Sequence, residues 1–270
     1  MKISFGFSPC PNDTFMFDAL IHQKIDTEGI EFQAVMDDVE ALNQMAIQHS
    51  LELTKLSYSA FLHVHSNYNI CNSGSALGMN CGPLLISTKD SSYLNEESLI
   101  AVPGKYTTAN SLFNFCYPNY KNTIPMLFSE IEQAVLNKKV DAGVIIHENR
   151  FTYAEKGLKK LTDLGQYWQT KTNLPIPLGG IAVSKSLPKD TQMKIERVIK
   201  RSINFAFNNP KSSREYVKKY AQEMDNDVIT KHINLYVNEY SLELGNQGRQ
   251  AIDYLFKQSN ISSKNIFIGL

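Results

Sequence analysis

With 270 residues, 43% of them hydrophobic, the chain can build one large domain or two smaller ones. Its 27 basic side chains balance 27 acidic ones, which excludes a global field aimed at nucleic acid or an anionic membrane. No apolar run reaches the roughly eighteen residues that a bilayer-crossing helix needs.

The opening, MKISFGFSPCPNDTF, holds one Lys and an apolar run too short for a signal-peptide core, with no small-residue cleavage site after it. A cytoplasmic protein is therefore expected. KISFGFS alternates Ile3, Phe5 and Phe7 with small or polar residues, the pattern of a strand. The corner SPCPNDTF follows, stiffened by Pro9 and Pro11, and Asn12 or Asp13 is placed to cap a helix through Phe15, Phe17, Leu20 and Ile21. GIEFQAVMD reads as a second strand and DDVEALNQMAIQHS as a helix with Val39, Leu42, Ala46 and Ile47 on one face. LELTKLSYSAF reads as a third strand with Lys55 to Ser57 at its mouth. Strand, helix, strand, helix, strand marks an α/β domain with parallel pairing.

The middle of the chain repeats the logic. SLIAVPGKYTTANSLF is a strand, a Pro-Gly break and a helix start; SEIEQAVLNKKVDAGVIIHENRF is a helix followed by the strand AGVIIH. GPLLISTK and LGGIAVSK read as paired crossing strands. From Lys189 the pattern is helical almost to the end, through TQMKIERVIKRSINFAFNN, SSREYVKKYAQEM, NDVITKHINLYVNEYS and GNQGRQAIDYLFKQS. The expected architecture is α/β with two lobes and a central cleft: residues 1–88 and 179–270 form a larger discontinuous lobe, and 89–178 a smaller inserted one. Hinges of this kind permit closure around a ligand.

Cys10, Cys71, Cys81 and Cys116 lack a C-x-x-C pair and are expected to be free, buried thiols rather than metal ligands or a disulfide. Cys10 stands out by its place in the corner, where only a helix start could lower its pKa.

In open parallel sheets, ligands bind beyond the carboxyl ends of strands, where loops lead into helix N-termini. Pro9 to Thr14, Lys55 to Ser59, Thr107 to Asn110 and the strand ending at His147 all answer that description. An imidazole delivered by a strand end suits proton abstraction, since its ordinary pKa lies near neutrality. Glu148, its neighbour, is expected to face the other way, as adjacent strand residues do. The TTAN turn offers hydroxyls and helix N-terminal amides to an oxygen-rich ligand, although ordinary capping by Thr107 or Thr108 accounts for the same residues. Ser57 lies in no G-x-S-x-G elbow, so a hydrolase nucleophile is not expected.

SPCPNDTFMFDAL, LTKLSYSAF, VPGKYTTANSL and VDAGVIIHENRFTY, in this order, resemble the 1,4-dihydroxy-6-naphthoate synthase family of menaquinone biosynthesis by the futalosine route. The resemblance runs from the first strand to LPIPLGGIAVSK. It implies a fold like the type II periplasmic binding proteins, with crossing hinge strands. It also implies a carbon–carbon lyase that converts the small molecule cyclic dehypoxanthinyl futalosine to 1,4-dihydroxy-6-naphthoate without metal or redox cofactor. By the same resemblance His147 is the proton acceptor, and Lys55, Leu56, Ser57, Thr108, Ala109 and Asn110 contact substrate, with Asn12, Asp13 and Thr107 in support. Two other readings stand beside it: a non-catalytic binding protein or sensor for a small carboxylate, and the chorismate-consuming dehydratase of the same pathway. A naphthoate absorbance assay separates them.

Overall fold

The computed structural model describes residues 1–89, 93–221, 225–259, 261–262 and 265–269. The chain divides into two compact units, Met1–Gly78 with Pro177–Leu270, and Met79–Ile176.

The first unit opens with β1 (Lys2–Phe7), α1 (Pro11–Ile21), β2 (Glu31–Met36), α2 (Val39–Ile47) and β3 (Leu53–Ser57), then α3 (Tyr58–Val64), β4 (Tyr68–Ile70) and β5 (Ala76–Gly78). As the alternation in KISFGFS requires, Ile3, Phe5 and Phe7 are all buried, and the rings of Phe5 and Phe7 meet Phe17 of α1 edge-on at 4.9 and 5.4 Å. The helix α1 is buried along nearly its whole length rather than on one face. Its N-cap is Cys10, with Pro11 at the first helical position, so neither Asn12 nor Asp13 caps it; both side chains are turned to other uses within the first turn. The third strand is also shorter than LELTKLSYSAF predicted. It ends at Ser57, and Tyr58, Phe61 and Val64 continue as one buried face of α3, the helical spacing overriding a strand reading.

The second unit holds β6 (Leu84–Ser87), β7 (Ile100–Val102), α4 (Thr108–Cys116), β8 (Thr123–Pro125), α5 (Ile131–Leu136), β9 (Ala142–Ile145), α6 (Asn149–Thr152), β10 (Lys159–Asp163) and α7 (Leu164–Thr172). Its sheet runs β10-β6-β9-β7-β8, with β7 parallel to β8 and β9 and the other pairs antiparallel. Leu84, Ile86, Ala101, Ile131, Val135 and Ile145 form its core.

The chain returns to the first unit through β11 (Ile176–Ser184), followed by α8 (Lys189–Asn208), α9 (Arg214–Tyr220), α10 (Asn226–Tyr236), α11 (Glu239–Leu242) and α12 (Gly245–Lys257). The first sheet has the order β2-β1-β3-β11-β4, with β5 also on β11; β1 is parallel to β2 and β3, whereas β11 is antiparallel to β3 and β4. GPLLISTK and LGGIAVSK are therefore not partners: β6 bonds β9 and β10, and β11 bonds strands of the other sheet. The helices expected after Lys189 are present, although the last three residues of SSREYVKKYAQEM lie outside the described residues. The apolar stripe of α8, Ile195, Val198, Ile199 and Ile203, closes the core over Phe5, Phe7, Met16 and Phe17.

None of the four cysteines forms a disulfide, and three are buried. Burial pushes the Cys81 thiol up to about 12 and that of Cys116 up to about 11, which keeps both protonated. Among the described residues no helix is long and apolar enough to cross a membrane.

Candidate active site

In the first unit, β1 and β3 are parallel neighbours, so the corner after Phe7 and the Lys55–Ser57 segment lie at the same edge of one sheet. The corner is organised around a buried carboxylate. Asp13 Oδ2 accepts from the Ser8 amide at 3.1 Å and the Ser8 hydroxyl at 2.8 Å; Oδ1 accepts from Asn12 Nδ2 at 2.8 Å. Lys55 Nζ pairs with the same Oδ1 at 3.1 Å and donates to the Gly74 carbonyl at 2.9 Å. Both charged side chains are more than nine-tenths buried. Burial of that degree is tolerable because the two charges face each other and their remaining capacity is filled by hydrogen bonds. Asn12 is fixed from a second side, its Oδ1 lying 2.9 Å from Nε2 of the buried His232 on α10. The backbone carbonyl of Cys10 accepts from the amides of Asp13 and Thr14, both at 3.1 Å, and from the Thr14 hydroxyl at 3.0 Å, so the residue closes the first turn of α1.

Ser57 ends β3 and is the N-cap of α3. Asn43 of α2 clamps it with two contacts: its Oδ1 accepts from the Ser57 amide at 2.9 Å, and its Nδ2 donates to the Ser57 hydroxyl at 3.2 Å. Leu56 is buried beside it, facing β11, where Gly180 lies opposite Leu56 and Gly179 opposite Ser57. A Cβ on Gly179 would stand 2.6 Å from the Leu56 carbonyl oxygen, closer than any real contact. Only glycine lets β11 lie so near β3 at this point.

In the second unit the parallel strands β7 and β9 likewise bring their carboxyl ends to one edge. After β7, Pro103 and Gly104 turn the chain, with Gly104 at φ +135°, a conformation that needs glycine. Thr107 is the N-cap of α4: its hydroxyl accepts from the Asn110 amide at 3.2 Å and donates to the Gly104 carbonyl at 2.9 Å. The Asn110 side chain donates back to the Lys105 carbonyl at 2.9 Å. Thr108 and Ala109 are buried in the first turn.

His147 does not belong to a strand. The strand β9 stops at Ile145, and His147 follows in a turn at φ +57°, the left-handed region that non-glycine residues seldom occupy. Its ring stands edge-on to Phe128, 4.9 Å between centroids. The turn also overturns the expectation for Glu148. Strand alternation no longer applies, and a His147 ring nitrogen and a carboxylate oxygen of the buried Glu148 lie within 4.8 Å of one another. Glu148 is the site residue that sequence reasoning set aside, and no local pattern signals the left-handed residue that recruits it. Just beyond, Arg150 donates to the Gly82 carbonyl and lies 3.8 Å from Asp163, tying the turn to the loop that precedes β6 and to the N-cap of α7.

The arrangement offers, at one sheet edge, an imidazole beside a carboxylate and a capped helix start, and at the other, a corner of buried hydroxyl and amide groups. A solved structure of a protein from Archaeoglobus fulgidus superposes with a TM-score of 0.91 and 35% identity over 96% of this chain and 97% of that one. A Candida albicans protein described as having the generic periplasmic binding protein fold superposes with a TM-score of 0.68 at 12% identity, over 100% and 98%. The chain is thus an α/β protein of the periplasmic-binding-protein fold. It belongs to the menaquinone biosynthesis family, whose model matches residues 3–260. Among its relatives, a Thermus thermophilus protein is 38% identical over 95% of this chain and 93% of its own length. One from Streptomyces coelicolor is 39% identical over 93% and 90%, and both are named 1,4-dihydroxy-6-naphtoate synthase.

Proposed function

We propose that the protein is a 1,4-dihydroxy-6-naphthoate synthase, a carbon–carbon lyase acting on cyclic dehypoxanthinyl futalosine, with His147 as the proton acceptor. The observation that carries the reading is the match, over more than nine-tenths of the chain, to two relatives of that name. The local chemistry supports it. In this reaction a carbon–carbon bond of the substrate breaks and its ring system becomes an aromatic dihydroxynaphthalene. Aromatisation supplies the driving force, and the protein's part is to orient the substrate and accept one proton. A neutral imidazole does this near neutral pH, and the Glu148 carboxylate nearby favours the imidazolium that forms. By the family resemblance Lys55, Leu56, Ser57, Thr108, Ala109 and Asn110 are the residues that contact substrate. Asn12, Asp13 and Thr107 hold those segments in shape, as their hydrogen bonds within each unit support.

The test is direct. Purified protein incubated with cyclic dehypoxanthinyl futalosine should generate the absorbance of a dihydroxynaphthoate, confirmed by mass. Tight binding of the substrate without turnover would instead favour a binding protein, and turnover of chorismate would favour the dehydratase.

A further inference from the structure

In the first unit the helices α1, α8, α9 and α10 surround a cavity of about 580 Å³ that shares no lining residue with either sheet edge described above. Its volume is in the range of small-molecule sites. The apolar part of the wall includes Phe15, Val217, Ile229 and Ile233. Three cations stand around it, Lys211, Arg214 and Lys218, and no acidic side chain lines it among the described residues. Among the described lining residues the charge is therefore of one sign.

Ser213 supplies an independent sign of a ligand. It lines the cavity, is 1% exposed, and its hydroxyl has no hydrogen-bond partner among the described residues. It is the N-cap residue of α9, the place where a serine hydroxyl ordinarily accepts from the helix amides, yet it makes no such bond. A buried polar group left without a partner is costly, and native structures rarely keep one that nothing satisfies. Rotation about its χ1 would turn the hydroxyl to the cavity wall and a bound molecule, and the surrounding cations fix that molecule's charge.

From this we infer that the cavity is a second binding site, for an organic carboxylate with an apolar body. The carboxylate lies against Ser213, Arg214 and Lys218, and its body against Phe15, Val217 and Ile229. The site is independent of the proposed lyase reaction. An acyl chain and a fused aromatic ring present the same chemistry to it, and decanoate and 2-naphthoate represent the two sources.

Isothermal titration of the full chain with each probe decides the matter. At least one probe should bind the wild type, and its affinity should fall tenfold or more in Arg214→Glu, which reverses a charge at the cavity wall. Val217→Trp, which fills the cavity, should abolish the same binding. Lys218→Glu stands in if that variant fails to fold. Ser57→Ala should leave this affinity unchanged, which separates the cavity from the lyase site. Which probe binds identifies the preferred body. The inference is overturned if neither probe binds, if binding survives Arg214→Glu, or if Ser57→Ala removes it.

Discussion

Two residues next to each other, His147 and Glu148, set the clearest expectations at the residue scale. With His147 as the proposed base, His147→Asn should lower turnover by about 10²–10⁴-fold while largely preserving substrate affinity, measured by single-turnover kinetics and titration. Near-wild-type turnover would reduce His147 to a structural residue. On the proposed mechanism, Glu148→Gln removes a carboxylate that stands near the imidazole. The pKa governing the acid limb of the pH–rate profile should therefore move to lower pH, with a reduced plateau. A carboxylate that served packing alone would leave the limb where it is. At the opposite kind of position, Lys55 is held inside the protein by Asp13 and Gly74 instead of reaching solvent, the usual fate of a lysine. Lys55→Met should destabilise by roughly 3–5 kcal/mol, because it strands the Asp13 carboxylate in a buried place. An unchanged urea midpoint would mean that Ser8 and Asn12 alone satisfy Asp13.

At the scale of elements, the strand pair β3 and β11 is the piece of scaffold most exposed to small changes. Gly179 opposes Ser57, and its missing Cβ is what allows the Leu56 carbonyl its position. Gly179→Ala should cost about 1–3 kcal/mol, the usual penalty of overpacking a filled interior, and should weaken substrate binding because Ser57 shifts with its strand. Paired melting and titration experiments would show whether the two losses travel together; a stable variant with normal affinity would show that the strands separate without consequence. The helix starts tell a related story. Asp38, Thr107, Asp163 and Asp225 each cap a helix with a side-chain oxygen, so these helix starts are defined locally. The corner at α1 is held locally by Ser8 and Thr14 and also from outside, by Lys55 and His232.

On the scale of the whole molecule, the two halves of the discontinuous first unit are joined across its surface by Glu28, which accepts from Arg197 at 3.1 and 2.5 Å and from Arg201 at 3.1 Å. The Arg197 guanidinium first, and Arg201 with it, lower the Glu28 carboxyl from an ordinary 4.5 to about 2. A depressed carboxylate contributes stability above its unfolded pKa and loses it as pH falls through the folded value. The thermal-stability gap between wild type and Glu28→Gln should thus be largest near neutrality and close progressively between about pH 4.5 and pH 2. The cluster lies at the surface, with both arginines well exposed and Glu28 partly so, and the gap should also shrink in high salt. A gap that is indifferent to pH would assign the link to packing of the arginine stems.

Much of this protein was legible in its sequence. The alternation of Ile3, Phe5 and Phe7, the amphipathic helices after Lys189 and the Thr107 cap each depend on residues within a few positions of one another. Local periodicity and turn chemistry therefore reveal them without knowledge of the rest of the chain. Strands as short as β4, β5 and β8 have three residues apiece and no period to read. The quoted motifs carried the family, because they preserve residue identities in order. Other features were decided by the tertiary structure alone. The partner of Lys55 lies 42 positions away, the clamp on Ser57 comes from another helix, and the strand assigned to β6 bonds neighbours on its own sheet rather than β11. His147 takes a left-handed turn that brings Glu148 beside it, where a continued strand would have sent the two apart. Those outcomes rest on which distant surfaces pack together and which buried charges must then find partners, and no window of neighbouring residues contains that information.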